Sequence, residues 1–148
     1  MLRVRQKLGK YRILGRIAAG PLADVYRAAD TIQNIKVALK LPKLGDNISE
    51  KEILHEVRVA TKLRHPNILS VLNASYIDGH FVIAMELGEE SLAERIERRM
   101  SPALAMDLAA QGLSALAHAH EQKFIHCDIK PENFILFPGP HLKLADFG

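Results

Sequence analysis

The sequence predicts an α+β fold, in which an antiparallel sheet with one principal helix is followed by a mainly helical region. Strand-like patterns run from Tyr11 to Leu41. The dipeptide Asp78-Gly79 separates two further apolar runs, as in a β-hairpin. Three helix-start signals, at positions 49, 91 and 101, complete the pattern.

The composition is that of one globular domain. The chain has 148 residues, of which 48% are hydrophobic and 25% are charged, so it is long and apolar enough to bury a core. No apolar run approaches the roughly 18 residues that a membrane span needs. The first seven residues lack the apolar core of a secretion signal. The single cysteine excludes an internal disulfide and suits a reducing compartment, so we expect a cytoplasmic location.

The positive charge is concentrated at the start of the chain. Residues 1–16 carry six basic and no acidic side chains, although the net charge of the whole chain is +3. Such a segment can contact nucleic acid or anionic lipid. No aromatic residue is interleaved before Tyr11, so we favour a solvated basic leader over residues 1–10 and expect no nucleic-acid partner.

The strand Lys36–Leu41 has two distinct faces. Alternation places Lys36, Ala38 and Lys40 on one face and the larger apolar side chains on the other. The small side chain of Ala38 leaves room for a flat ring, and Lys40 lies on the same face, within reach of phosphates attached to that ring. An edge strand with surface lysines explains the same pattern.

A helix is predicted after the turn cluster at residues 42–47. Ser49 and Glu52 form a capping box, and the helix extends to about Leu63. Glu56 lies on the apolar face of this helix by spacings of three and four. A buried carboxylate needs a partner, and Lys40 is the candidate.

The second half of the chain begins with a hairpin and continues with helices. Strands are predicted at 71–77 and 81–87, after a turn in which His65 is a turn and cap residue. Ser91 and Glu94 form a second capping box, which starts a short helix to about residue 100. Ser101-Pro102 starts a third helix over 102–122, which is rich in Ala and Leu nearly all round, as in a buried helix.

A cluster of polar residues near the end of the chain carries the chemistry. Asp128 is a carboxylate that could accept a proton from a hydroxyl, and Lys130 supplies a fixed positive charge beside it. Asn133 and Asp146 offer oxygen ligands suited to a hard cation such as Mg²⁺. These groups are the ones that phosphoryl transfer requires, because that reaction depends on positioning and charge neutralisation.

The stretch His126–Asn133, followed by Asp146-Phe147-Gly148, resembles the catalytic loop and Asp-Phe-Gly motif of eukaryotic-type serine/threonine protein kinases. The resemblance covers about residues 10–148 and implies a kinase domain truncated at Asp-Phe-Gly. It implies an N-lobe at 11–87, with a five-stranded antiparallel sheet and one main helix. Residues 88–148 would be the first part of the helical C-lobe.

The resemblance also implies roles for individual residues. Asp128 would be the catalytic base, and Lys130 would neutralise charge on the transferred phosphoryl group. Lys40 would hold the ATP phosphates and be oriented by Glu56. Mg²⁺ would be bound by Asn133 and Asp146. The remaining nucleotide contacts implied by the family are at Ala18, Gly20, Val25, Ala38, Met85, Glu86, Leu87, Gly88 and Ile135.

The phosphate loop departs from the family pattern. Anchored on Val25, only Gly20 matches a family glycine, because Ala18 and Ala23 occupy the other two places. Alanine restricts the backbone more than glycine does, and Pro21 has no N–H to offer a phosphate. We therefore expect weak ATP binding.

Two residues of the catalytic loop are expected to serve structure rather than chemistry. The resemblance gives His126 a packing and loop-holding role. Cys127 stands where many kinases carry an arginine that pairs with an activation-segment phosphate, so the resemblance points away from that form of switching. Cys127 could be a reactive thiol, but we favour a buried and inert cysteine.

The resulting hypothesis is an ATP- and Mg²⁺-dependent serine/threonine kinase fragment that acts on a protein hydroxyl. The alternative is a catalytically inactive, pseudokinase-like nucleotide-binding or scaffold module. The family's later C-lobe helices do not follow in this sequence, so we expect apolar C-lobe surface to stay exposed, to be covered by a partner or to support self-association.

Overall fold

The computed structural model describes residues 2–43, 45 and 49–146. The chain divides into two compact units. The first contains Met1–Val57 and Val71–Leu87, and the second contains Arg58–Ser70 and Gly88–Gly148.

The first unit is built on one antiparallel sheet. Its strands are β1 (Lys7–Leu8), β2 (Tyr11–Ala19), β3 (Ala23–Asp30), β4 (Ile35–Pro42), β5 (Val71–Ile77) and β6 (His80–Glu86). Their order in the sheet is β1-β2-β3-β4-β6-β5. The strands alternate as predicted, and β4 has Val37, Leu39 and Leu41 in the core. The expected α+β class is confirmed, but the sheet has six strands in the described part of the chain and not the predicted five.

Strand β1 is a feature that the sequence prediction did not include. Lys7 pairs with Arg12, and Leu8 pairs with Tyr11, around a turn in which Gly9 has a φ of +56°. Leu8 is fully buried, so the basic leader is not solvated throughout. Burial of this one apolar side chain and two cross-strand pairs explain why residues 7 and 8 join the sheet.

Helix α1 (Glu50–Lys62) begins at the predicted capping box. The Ser49 N–H and hydroxyl donate to Glu52 Oε2 at 2.7 and 2.8 Å, and the Glu52 N–H donates to Ser49 Oγ at 3.3 Å. From α1, Ile53 packs with Phe81 and Ile83 in a small apolar cluster of the first unit. The cap and this apolar contact fix where the helix starts and which side faces the sheet.

The second unit contains helices α2 (Leu92–Ile96) and α3 (Pro102–Glu121), a 3₁₀ turn (Pro131–Asn133) and strands β7 (Glu90–Ser91), β8 (Phe134–Phe137) and β9 (His141–Leu144). The three strands form a small sheet in sequence order. Both helices have the predicted N-caps: Ser91 accepts from the Glu94 N–H, and Ser101 accepts from the Leu104 N–H. Helix α2 ends about four residues earlier than predicted. The Arg98 N–H closes a turn onto Arg95 O, and the Arg95 side chain donates to the carbonyls of residues 98 and 99.

Helix α3 is buried along one stripe and not nearly all round. The stripe consists of Leu108, Gly112, Ala115 and Ala119. On other faces Met106 is 71% and Leu113 is 66% exposed, because no described segment packs against them. Within the described residues, no helix is both long enough and apolar enough to cross a membrane.

Candidate active site

In the first unit, Lys40 of β4 forms an ion pair with Glu56 of α1. Lys40 Nζ lies 2.5 Å from Glu56 Oε1, and the side chains are 16% and 23% exposed. Strand β4 presents Lys40 on the face that also carries Ala38, and α1 presents Glu56 from its apolar side. The partner that the sequence pattern proposed for Glu56 is therefore the one that the structure supplies.

The sheet also gathers the predicted adenine-side residues of the first unit around Lys40. On β3 and β4, Val25 pairs with Lys40, and on β4 and β6, Ala38 pairs with Met85. Ala38 is buried, and Met85 packs against the cluster around Ile83. The three adjacent strands β3, β4 and β6 therefore carry four of the predicted nucleotide-binding residues: Val25, Ala38, Lys40 and Met85.

The predicted phosphate loop is the tight hairpin between β2 and β3. Ala18 pairs with Val25, and the Gly20 N–H closes the turn by donating to Ala23 O at 2.9 Å. No residue from 18 to 24 has a positive φ. Ala18 and Ala23 lie in strands, so their Cβ atoms cause no backbone strain in this conformation.

The predicted hinge residues fall at the junction of the two units. Glu86 ends β6 in the first unit, Leu87 follows it, and Gly88 begins the last part of the second unit. Gly88 lies against β8, where an added Cβ would be 2.3 Å from Ile135 Cγ2 and 2.8 Å from Leu136 O. This close backbone approach is the physical reason for glycine at position 88.

In the second unit, a buried histidine supports the catalytic loop. The ring of His126 is 2% exposed, and its Nε2 lies 2.7 Å from Ala145 O. Its Nδ1 accepts a hydrogen bond from the Asp128 N–H at 3.2 Å. These two contacts require a proton on Nε2 and a lone pair on Nδ1, so this ring holds the loop and is not available as a base.

Asp128, Lys130 and Asn133 form a hydrogen-bonded group at the exposed end of this loop. Lys130 Nζ lies 2.6 Å from Asp128 Oδ2, and Asn133 Nδ2 donates to the same oxygen at 3.1 Å and to Asp128 O at 2.8 Å. The hydrogen bond from Lys130, followed by that from Asn133, holds the pKa of Asp128 below its usual value. Asp128 raises the pKa of Lys130 in return. The carboxylate is therefore ionised, exposed and oriented.

Asn133 lies next to the second predicted metal ligand. It is 5% exposed in the 3₁₀ turn, and its carbonyl accepts from the Ala145 N–H at 2.7 Å. Asp146 follows Ala145 directly and has a φ of +57°. Among the described residues, no hydrogen bond reaches the side-chain oxygen of Asn133, which is the atom that a cation would take. Phe147 and Gly148 of the Asp-Phe-Gly motif lie outside the described residues.

The prediction that Cys127 is buried is wrong. Its side chain is exposed, and its Sγ donates to the carbonyl of Ile125 at 3.7 Å. Cys127 has a φ of +65° between buried His126 and exposed Asp128. This left-handed turn directs the residue away from the core, and spacing alone cannot reveal it.

Two residues that the sequence prediction left without a role also make specific contacts. Lys43, which was placed in a turn cluster, contacts Asp24 and Gly20 of the phosphate loop. Gln111 of α3 bonds to the side chain of Asn67 and to the backbone of β9. Alternation along β3 and β4 could have indicated that Lys43 and Asp24 share a face. No sequence signal indicated the contacts of Gln111.

The Protein kinase domain family matches residues 11–148. The chain therefore belongs to the protein kinase family, which confirms the resemblance. Protein kinases in general use ATP and Mg²⁺.

Three relatives are each much longer than this chain. The chain is 36% identical over 146 residues to serine/threonine-protein kinase PrkC of Bacillus subtilis, covering 95% of this chain and 22% of PrkC. It is 35% identical over 145 residues to serine/threonine-protein kinase 36 of Pongo abelii, covering 94% of this chain and 11% of that protein. It is 32% identical over 148 residues to serine/threonine-protein kinase PknE of Mycobacterium tuberculosis, covering 96% of this chain and 26% of PknE. The chain therefore spans between 11% and 26% of the length of these relatives.

Proposed function

We propose that this domain carries out serine/threonine kinase chemistry, transferring the γ-phosphoryl group of ATP to a protein hydroxyl. The observation that carries the proposal is the group formed by Asp128, Lys130 and Asn133. It holds an ionised carboxylate 2.6 Å from a fixed positive charge and beside a buried amide. The names of the serine/threonine kinase relatives support the choice of hydroxyl.

The chemical steps follow from these side chains. The serine or threonine oxygen attacks the γ-phosphorus, the bond to the bridging oxygen of ADP breaks, and Asp128 accepts the hydroxyl proton. Lys130 offsets negative charge on the transferred group. Asn133 donates through Nδ2 to Asp128 and so keeps the carboxylate oriented.

The donor set of the second unit suits Mg²⁺. Asn133 and Asp146 would hold the ion, since both offer oxygen atoms and Asn133 keeps its side-chain oxygen free of described hydrogen bonds. When bound, Mg²⁺ neutralises phosphate charge. The described residues contain no cluster of three or more His, Cys, Asp or Glu side chains placed to hold a metal.

The first unit would supply nucleotide binding. Lys40, oriented by Glu56, would hold the phosphates, and Val25, Ala38 and Met85 would contact the adenine. Glu86 to Gly88 and Ile135 complete the proposed nucleotide contacts. We propose a cytoplasmic location, where ATP and Mg²⁺ are available and a free thiol stays reduced.

The test combines binding with transfer. ATP and Mg²⁺ are titrated into the chain by calorimetry, and transfer of labelled phosphate to a generic protein substrate is measured for the wild type and Asp128→Asn. We expect weak ATP binding in both proteins, and little transfer by the wild-type chain in isolation, which Asp128→Asn abolishes. Equal transfer by both proteins would remove Asp128 from the mechanism, and a low-micromolar affinity would contradict weak binding.

A second candidate is a nucleotide-binding or scaffold module without transfer activity. It is favoured by the replacement of two family glycines with Ala18 and Ala23 and by the absence of an N–H at Pro21. ATP binding without labelled product, or no binding at all, supports this candidate.

We also propose self-association through exposed apolar side chains of the second unit. Met106, Leu113 and Ile125 are 71%, 66% and 78% exposed. Sedimentation over a range of concentrations is expected to show association that Met106→Ser and Leu113→Ser weaken. A monomer at every concentration would contradict it.

A further inference from the structure

Lys43 connects the end of β4 to the turn of the phosphate loop by three contacts. Its Nζ donates to Gly20 O at 2.8 Å and lies 3.0 Å from Asp24 Oδ1. Its backbone N–H donates to Leu22 O at 2.8 Å. The turn itself is closed by one backbone hydrogen bond, from the Gly20 N–H to Ala23 O. Within the described residues, Lys43 thus makes three contacts to the turn from outside it.

These contacts lie on the face of the hairpin opposite to Lys40. Asp24 is two residues from Tyr26 on β3 and pairs with Leu41 of β4, and both of those side chains are buried in the core of the sheet. Val25 and Lys40 pair on the other face. Lys43 therefore acts on the back of the loop and does not extend the nucleotide-binding face.

The charge of Asp24 makes this contact energetically relevant. The side chain of Asp24 is 17% exposed, whereas that of Lys43 is 47% exposed. Oδ1 of Asp24 is buried and accepts no hydrogen bond from the described residues. The ammonium group at 3.0 Å is the charge that offsets its burial, so removal of Lys43 would leave a poorly solvated carboxylate in the hairpin.

We propose that Lys43 and Asp24 form a clasp that holds the turn at residues 20–23 in its phosphate-binding conformation, with Lys43 as a positioning residue. This inference rests on the proposed nucleotide binding. Two family glycines are replaced by alanine, so the loop has less freedom to adapt to a phosphate. A loop held in one conformation from behind loses less entropy when a ligand binds.

The clasp is tested with Lys43→Met, Asp24→Asn and the double variant. The matched control is Lys36→Met, which removes an exposed lysine of β4, the strand that Lys43 follows; among the described residues Lys36 forms no ion pair. The rates of amide hydrogen exchange at Gly20 and Ala23 measure how well the loop is ordered in the absence of nucleotide. Calorimetry with ATP and with adenosine separates phosphate binding from ring binding.

We expect Lys43→Met to accelerate exchange at Gly20 and to raise the Kd for ATP about three- to fivefold. The affinity for adenosine is expected to stay unchanged, because adenosine has no phosphates. A general loss of structure would instead weaken the binding of both ligands. The double variant should bind ATP no more weakly than Lys43→Met alone, because both substitutions break the same interaction. Lys36→Met should match the wild type.

Each contrary outcome is informative. If Lys43→Met behaves like Lys36→Met, or changes exchange without changing the ATP Kd, the clasp does not position the loop for phosphate. If Asp24→Asn lowers the ATP Kd, Lys43 acts instead as a direct phosphate ligand once released. If the wild type binds no ATP, the proposed function fails, the positioning role fails with it, and the exchange data show whether the clasp still orders the turn.

Discussion

Lys40 Nζ lies 2.5 Å from Glu56 Oε1, although the two residues are 16 positions apart in the sequence. The contact joins a strand to a helix within the first unit, and both side chains are largely buried. A pair in this environment is screened less by water than a surface pair, so each partner orients the other.

Glu56→Gln is predicted to weaken ATP binding. The substitution keeps the size of the side chain and removes the charge that orients Lys40, so we expect the ATP Kd to rise about two- to fivefold. Calorimetry in the presence of Mg²⁺ measures the change. Glu52→Gln is the matched control, because it changes a glutamate of the same helix at the capping box. An equal effect in both variants would assign the change to helix stability and not to Lys40.

The titration of Asp128 is predicted to depend on Lys130. The folded-state pKa of Asp128 lies below the ordinary value of 3.8, chiefly because Lys130 donates a hydrogen bond to it. The associated stability is therefore present above pH 3.8 and is lost as the pH falls through the lower folded-state pKa. Lys130→Met should raise the Asp128 pKa, measured from the carboxyl carbon by NMR. An unchanged titration would show that the ion pair does not form in solution.

Gly88→Ala is predicted to destabilise the second unit. The added Cβ would lie 2.3 Å from Ile135 Cγ2 and 2.8 Å from a backbone oxygen. Overpacking of this kind lowers the free energy of unfolding by about 1–3 kcal/mol, and denaturant unfolding measures the change. Gly15→Ala is the control, since no atom of the described residues lies within 4 Å of a Cβ at that position. Equal stability of the two variants would mean that the backbone at Gly88 is free to move away.

Gln111→Leu is predicted to destabilise the contact between α3 and β9. Gln111 Oε1 accepts from the Leu142 N–H at 2.7 Å and from Asn67 Nδ2 at 3.0 Å. Loss of this acceptor leaves a donor unpaired, which costs about 1–3 kcal/mol. Leu113→Ala, at an exposed position of the same helix, should cost far less in the same unfolding experiment. The opposite ranking would show that water replaces the Gln111 acceptor.

His65 is predicted to make the stability of the domain depend on pH near neutrality. Burial, followed by the nearby charge of His118, holds the His65 pKa below 6.5 in the folded state, while Glu121 acts in the opposite direction. The unfolded chain therefore binds a proton first, and stability falls as the pH drops below about 6.5. Protonation would also break the bond from the Asn67 N–H to His65 Nδ1. His65→Asn should flatten the stability difference between pH 7 and pH 5, and an unchanged pH profile would exclude His65 as its source.

The starts of the helices were predictable because each capping signal lies within four consecutive residues. Ser49, Ser91 and Ser101 each cap a helix that begins at the next residue, since the bonded groups are three residues apart. The faces of β4 followed from alternation. The end of α2 was placed too late, because the Arg95 side chain satisfies carbonyls that a longer helix would have used.

The sequence by itself determined the family, the starts of the helices and the residue types of the candidate site, because motifs and caps depend on spacing along the chain. Only the tertiary structure decided that Leu8 enters the sheet, that Cys127 is exposed and that Lys43 reaches Gly20 and Asp24. These features depend on contacts between segments or on a single left-handed backbone angle. Neither leaves a periodic pattern in the sequence, so packing had to be known before they could be seen.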